Sequence, residues 1–200
     1  LVAYAFILAP PDRPETLDLI VQLSTGQVAG LNPAIVALFN LMGVWPFVYG
    51  AVLFADGRGQ AVRAWPFAIG SMVVGAFAVL PYLALRRSNP TFTGNRSRWL
   101  QFWDSRGLAI GLSLAAIGLL AWGLSQGNWP DFGHQWQTSR FIHVMSLDFV
   151  LLSFLFSSLI ADDLARRGWG DRSVWRSIVL VPLLGPLAYL VARPHLVDRP

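Results

Sequence analysis

One carboxylate lies inside an otherwise mostly apolar segment, and it is the residue best placed to do chemistry. Asp148 stands within the hydrophobic segment 141–160. A carboxylate is costly inside a bilayer, so such a residue is a candidate for a proton relay, an ion ligand or the partner of a buried cation. The alternative is that Asp148 lies near the interface or hydrogen-bonds a neighbouring helix. A second charged residue, Arg176, lies near the start of the apolar segment 174–191.

Two further polar residues, His143 and Asn40, could contact a bound pigment. A single imidazole such as that of His143 can ligate the magnesium of a chlorophyll, whereas a haem held by two histidines is not favoured, because the other histidines lie in polar flanks. His143 and Asp148 are about 140° apart on a helix, so they do not share a face. The alternatives are an interfacial histidine that donates one hydrogen bond, and an asparagine that hydrogen-bonds across helices.

The rest of the sequence lacks the motifs of an enzyme. There is no cysteine, which excludes disulfides, thiolate metal sites and cysteine nucleophiles. No hydrolase elbow, phosphate-binding loop or zinc-protease motif occurs. Asp162 and Asp163 precede Arg166 and Arg167 by four residues, and solvated helical i,i+4 pairs explain them. We therefore predict a protein that is not an enzyme and has no metal site.

Composition indicates a membrane protein. Hydrophobic residues make up 54% of the 200 residues and charged residues only 13%, whereas a soluble domain has about a quarter charged residues. Every basic residue is an arginine. The arginines are spread over short loops rather than gathered in a stripe, so membrane lipids are the expected partners and nucleic acid is not.

The apolar segments predict an all-α fold, a polytopic bundle of transmembrane helices with about five spans. A bilayer core of about 30 Å needs a helix of about 20 residues. The expected spans are 33–54, 64–85, 108–124, 141–160 and 174–191. They form a transmembrane domain over residues 33–200, preceded by an N-terminal segment, residues 1–32, with an expected interfacial helix. Pro182 and Gly185 predict a kink in the fifth span.

The first two and the last two spans resemble each other, which predicts a duplicated helical hairpin. The matched positions are Asp56 with Asp162, Tyr82 with Tyr189, and Arg86 with Arg193. If the segment 108–124 spans, the two hairpins lie in opposite orientations, as in the inverted repeats of transporters. The alternative is a structural duplication without a transport role. With five spans, the arginine count places the N-terminal segment on the cytoplasmic or stromal side.

One stretch resembles a known group of proteins. Residues Asn40–Arg87 contain the strings Asn-Leu-Met-Gly-Val-Trp-Pro and Ala-Trp-Pro-Phe. They resemble multi-span membrane proteins of unknown function from cyanobacteria and from plants in which the protein has a plastid address. The resemblance implies a thylakoid or other photosynthetic membrane, and it implies no catalytic residues.

These features together predict a non-enzymatic integral membrane subunit, or an assembly or stabilising factor, of a photosystem-associated complex. Its expected partners are lipids and the other membrane proteins of that complex, and its expected ligands are chlorophyll and carotenoid. The alternative, from another functional class, is a small oligomeric transporter or channel component that uses Asp148 as its intramembrane carboxylate.

Overall fold

The computed structural model is helical throughout the residues that it describes, which are 2–92, 97–170 and 174–196. In chain order, the helices are α1 (Val2–Ile7), α2 (Thr16–Thr25), α3 (Pro33–Asp56), α4 (Trp65–Val74), α5 (Ala76–Leu85), α6 (Arg98–Trp103), α7 (Arg106–Gln126), α8 (Trp129–Thr138), α9 (Arg140–Arg166), α10 (Val174–Ile178) and α11 (Leu184–Ala192). No β-strand occurs in these ranges, as the sequence predicts.

Three of these helices are long and apolar enough to cross a membrane, namely α3, α7 and α9. The shortest, α7, has 21 residues, and at 1.5 Å per residue it matches a bilayer core of about 30 Å. The chain is therefore an integral membrane protein. The central helix is α3, which begins where the Asn32 side chain accepts a hydrogen bond from the Ala34 amide and Pro33 occupies the first turn.

The predicted second span, 64–85, is two short antiparallel helices and not one spanning helix. The break lies at Gly75, whose φ is +53°, a value that favours glycine. The Phe67 and Tyr82 rings lie 5.7 Å apart across the two helices. Further along, the Gln60 side chain hydrogen-bonds both the amide and the carbonyl of Arg87. Helices α4 and α5 thus form a re-entrant hairpin, hairpin 1, and the chain returns to the face where α3 ends.

The predicted fifth span, 174–191, also reverses. Leu183 has a φ of +58° just before α11, and the Trp175 and Tyr189 rings meet at 5.6 Å across the turn. Helices α10 and α11 form hairpin 2, so the kink expected there is a reversal. Arg176 is exposed on the short helix α10 and is not enclosed within the bundle. The prediction of five spans is therefore not confirmed.

Both hairpins begin and end at one face of the bundle. The Arg166 guanidinium contacts Asp56, at the end of α3, at 2.9 Å and Asp163, near the end of α9, at 3.5 Å. The ends of these two helices therefore meet, at what we call the arginine face. At the opposite end, the α8 face, the Asn32 side chain bonds the Asn128 carbonyl at 2.8 Å. The hairpins thus share one orientation, and the inverted arrangement expected from five spans is not observed.

The new topology also changes the expected orientation in the membrane. In the described ranges, only Arg13 and Arg140 lie at the α8 face. Those at the arginine face are Arg58, Arg63, Arg86, Arg87, Arg98, Arg106, Arg166, Arg167, Arg176 and Arg193. The positive-inside rule places the arginine face on the cytoplasmic or stromal side. The N-terminal segment is then on the other side, which is the reverse of the expectation from five spans. The reason is that the arginines next to both ends of each hairpin now lie on the same side of the membrane.

Candidate functional site

A charge cluster lies at the arginine face, where the ends of α3, α6 and α9 meet the ends of both hairpins. Its members are Asp56, Asp104, Asp162, Asp163, Arg86, Arg166, Arg167 and Arg193. Four carboxylates face four guanidinium groups, so the cluster is formally neutral. Arg86 is its most exposed arginine, with 10% of its side chain accessible. Charges buried to this extent are tolerated when they are paired and hydrogen-bonded.

In the first half of the cluster, hairpin 1 is held to the end of α3 through Asp56. Arg86 donates two hydrogen bonds to this carboxylate, at 2.8 and 2.7 Å. The Tyr82 hydroxyl donates a third at 2.6 Å and Arg166 a fourth at 2.9 Å, so the acceptor sites of the carboxylate are filled. Arg86 also contacts Asp162. Burial alone lowers the pKa of Arg86, but its bonds to the two carboxylates raise that pKa above the ordinary value.

In the second half, hairpin 2 is held to the end of α9 through Asp163. Arg167 donates to this carboxylate at 2.9 and 3.3 Å, the Tyr189 hydroxyl at 2.6 Å and Arg193 at 3.2 Å. Arg167 and Arg193 also lie 2.7 and 3.4 Å from the Asp104 carboxylate. Asp104 follows α6, so that helix is tied to hairpin 2 as well.

The two halves use the same residue types at the same spacing. In each, the tyrosine follows its aspartate by 26 residues and the arginine follows it by 30. The equivalent of Asp56 is therefore Asp163, one residue later than the sequence match suggested. Of the two expected i,i+4 pairs, the one between Asp163 and Arg167 forms but is buried, whereas Asp162 pairs with hairpin 1. The duplication itself stays a prediction, which this shared pattern favours.

The tip of hairpin 1 meets the intramembrane carboxylate. Asp148 is 4% exposed, and its two oxygens accept from the Ala76 amide at 3.2 and 3.1 Å. Ala76 is the first residue of α5, and the positive end of a helix dipole favours a carboxylate. A Cβ at Gly75 would lie 2.0 Å from the Asp148 oxygen, so only glycine permits this approach. Within the described part of the chain, no arginine or histidine contacts Asp148.

Helix α9 also holds the tip of hairpin 2, with a neutral group. The Leu183 amide at the start of α11 donates to the Ser153 hydroxyl at 3.1 Å. Asp148 and Ser153 thus each accept a hydrogen bond from a backbone amide at the tip of one hairpin. Asp148 does so with a titratable carboxylate and Ser153 with a hydroxyl.

The other residues proposed from the sequence lie apart from these sites. His143 is buried near the α8 face, where its Nε2 is 2.8 Å from the Tyr4 hydroxyl and its Nδ1 is 2.9 Å from the Trp136 carbonyl oxygen. A pigment magnesium at His143 would have to displace one of these partners. Asn40 is exposed on α3, and its amide donates to the Val36 carbonyl of the same helix at 2.8 Å, so it makes no bond across helices.

No family model matches the chain, and neither a curated protein nor a solved structure matches it. Among the residues that the structure describes, no group of three or more histidine, aspartate or glutamate side chains is placed to hold a metal ion. The charge cluster, the Asp148 site and the surfaces of the spanning helices are therefore the features that bear on function.

Proposed function

We propose that the chain is a non-enzymatic integral membrane subunit that stabilises a larger membrane complex. The observation that carries this proposal is the charge cluster, in which each of the four aspartates is paired with an arginine of the same chain. Such a cluster holds the ends of both hairpins in a fixed position against α3 and α9. A rigid apolar body with its charges paired internally is suited to packing against other membrane proteins.

The surface of α7 supports a protein partner. Only 17% of its most apolar stretch is buried within the chain, compared with 67% for α3. Gly111 and Gly118 are exposed on α7, and a Cβ at either would meet nothing within 4 Å. Small residues let membrane helices approach closely, so we propose that a partner helix packs along this face.

The photosynthetic setting is proposed from the resemblance of Asn40–Arg87 to cyanobacterial and plastid membrane proteins. It supports a thylakoid location and a photosystem-associated partner, with lipid, chlorophyll and carotenoid as the proposed contacts. The exposed position of Asn40 on α3 suits a pigment held between this chain and a partner. His143 is the less accessible of the two, because Tyr4 occupies its Nε2.

Purification from the native membrane tests this proposal. We expect the tagged chain to co-purify with a pigment-containing photosynthetic complex. The double variant G111L/G118L should lose the complex and keep the melting temperature of the wild type. F154L, which changes an exposed residue of α9, is the matched control and should retain the complex. A wild-type chain that purifies alone and without pigment would refute the proposal.

Asp148 supports a second candidate function, a small oligomeric transporter or channel component. Ionisable residues within a membrane mark ion and proton pathways, and ion sites in transporters often lie where a helix is broken within the bilayer. In reconstituted vesicles we expect a cation or proton flux that D148N abolishes and that S146A, on the same helix, leaves intact. Absence of flux in the wild type, or equal flux in D148N, would exclude this function.

A further inference from the structure

We propose that Asp148 binds and releases a proton, and that its protonation frees the tip of hairpin 1 from α9. This inference rests on the use of Asp148 in the second candidate function. It deepens that function by naming the ion as a proton and the moving part as the tip of hairpin 1. Three features carry it: the surroundings of the carboxylate, the way it holds the hairpin, and the contrast with hairpin 2.

The surroundings of Asp148 suit a proton better than a metal cation. On the α3 side the titratable group is Tyr49, whose hydroxyl donates to the Leu152 carbonyl at 2.6 Å. Helices α4 and α5 contain no charged residue, and their one titratable side chain, Tyr82, is bonded to Asp56. On α9, the titratable residue His143 lies near the α8 face, where its ring nitrogens are hydrogen-bonded to the Tyr4 hydroxyl and the Trp136 carbonyl. A metal cation requires several oxygen ligands, whereas a proton requires one carboxylate oxygen.

The contact that holds the hairpin depends on the charge of Asp148. As a carboxylate, it offers both oxygens to the Ala76 amide and lies at the positive end of α5. A protonated carboxyl loses its charge, and the oxygen that carries the proton becomes a weaker acceptor for an N–H group. Protonation therefore weakens the bond that draws Gly75 and Ala76 against α9.

The tip of hairpin 1 is also placed to move, because it lies at the surface of the bundle. Val73 is 86% exposed and Val74 is 48% exposed. The carboxylate lies directly behind this exposed tip, within hydrogen-bond distance of the Ala76 amide. The tip of hairpin 2 is held by the Ser153 hydroxyl, which does not titrate. Acidification should therefore move the tip of hairpin 1 and leave the tip of hairpin 2 in place.

Spin labels at the two tips test this directly, since the chain has no cysteine of its own. The single variants V74C and V181C place a label at the tip of hairpin 1 and in the turn of hairpin 2. In lipid vesicles, we expect the V74C label to become more mobile on acidification while the V181C label stays unchanged. Adding D148N to V74C should abolish the pH response. Each pH unit changes the ratio of protonated to ionised carboxyl about tenfold. The change in mobility of the V74C label should therefore extend over about two pH units.

A second measurement needs no variant at Asp148. A lipid-soluble carbodiimide reacts with protonated carboxyl groups within a membrane. Mass spectrometry of the wild-type chain should therefore locate an adduct on Asp148 after reaction at acidic pH, and this adduct should not form at alkaline pH. The proposal is overturned if the V74C label does not respond to pH, if both labels respond equally, or if the response survives in D148N. Protection of Asp148 by sodium at constant pH would overturn it in favour of a metal cation. Absence of flux together with a normal V74C response would refute transport and leave this inference standing.

Discussion

Asp163 is the residue on which the charge cluster depends most, because three guanidinium groups and one tyrosine hydroxyl meet at its carboxylate. The variant D163N keeps the size of the side chain and removes its charge. Three carboxylates then face four guanidinium groups in a site where the Asp163 side chain is 0% exposed. Removing one partner of a buried ion pair costs about 3–5 kcal/mol, and we expect D163N to lose that much stability.

Thermal unfolding in detergent measures the loss, since the nine tryptophans give an intrinsic fluorescence signal. For a chain of this size, 1 kcal/mol corresponds to about 2–4 °C in Tm. D163N should therefore melt about 6–20 °C below the wild type. The matched control is D12N, which breaks the exposed pair of Asp12 with Arg140. The Asp12 side chain is 62% accessible and the Arg140 side chain 29%. An exposed pair contributes about 0–1 kcal/mol, so D12N should melt within a few degrees of the wild type.

A double variant separates loss of charge balance from loss of individual bonds. R193M removes a guanidinium group that lies 3.2 Å from the Asp163 carboxylate and 3.4 Å from the Asp104 carboxylate, so D163N leaves it with Asp104 as its carboxylate partner. Because the two residues share one network, the stability lost by D163N/R193M should be smaller than the sum of the single losses by about 0.5–3 kcal/mol. Equal melting of D163N and D12N, or strictly additive losses in the double variant, would refute the role given to the cluster.

Two further predictions concern the hairpins, and both are checked by the same melting assay. Y82F and Y189F each remove a hydroxyl that donates to a buried carboxylate, so each should cost about 1.5–3 kcal/mol; a large loss in only one would contradict the equivalence of the two halves. G75A places a methyl group against Asp148 at a positive φ and should cost about 1–3 kcal/mol. G43A, in open space on α3, should be nearly neutral, and equal stability of the two glycine variants would contradict the tight approach at the tip.

The sequence predicted the three spanning helices well and the two hairpins poorly. Helices α3, α7 and α9 arise from long apolar runs, and such length is a direct requirement of the bilayer. The segment 64–85 is equally apolar, but hydrophobicity carries no information about the direction of the chain. The reversal depends on the contact of Gly75 with Asp148, which lies far away in sequence.

The candidate site was predicted in part, for a similar reason. Asp148 is recognisable because it is a charge within an apolar run. The charge cluster is not, because its residues lie at the ends of apolar segments, where solvated charges are common. Their burial follows from the return of each hairpin to the arginine face. The one signal in the sequence was the repeated spacing of aspartate, tyrosine and arginine, which the match of Asp56 to Asp162 missed by one residue.

The re-entry of hairpin 1 is tested most directly by the side from which its two ends react. Single cysteines at A61C, before α4, and T91C, after α5, replace exposed residues at the arginine face, and S125C replaces an exposed residue toward the α8 face. In oriented vesicles, a membrane-impermeant thiol reagent should label A61C and T91C from one side and S125C from the other. Labelling of A61C and T91C from opposite sides would show that residues 64–85 cross the membrane, and would contradict the re-entrant hairpin.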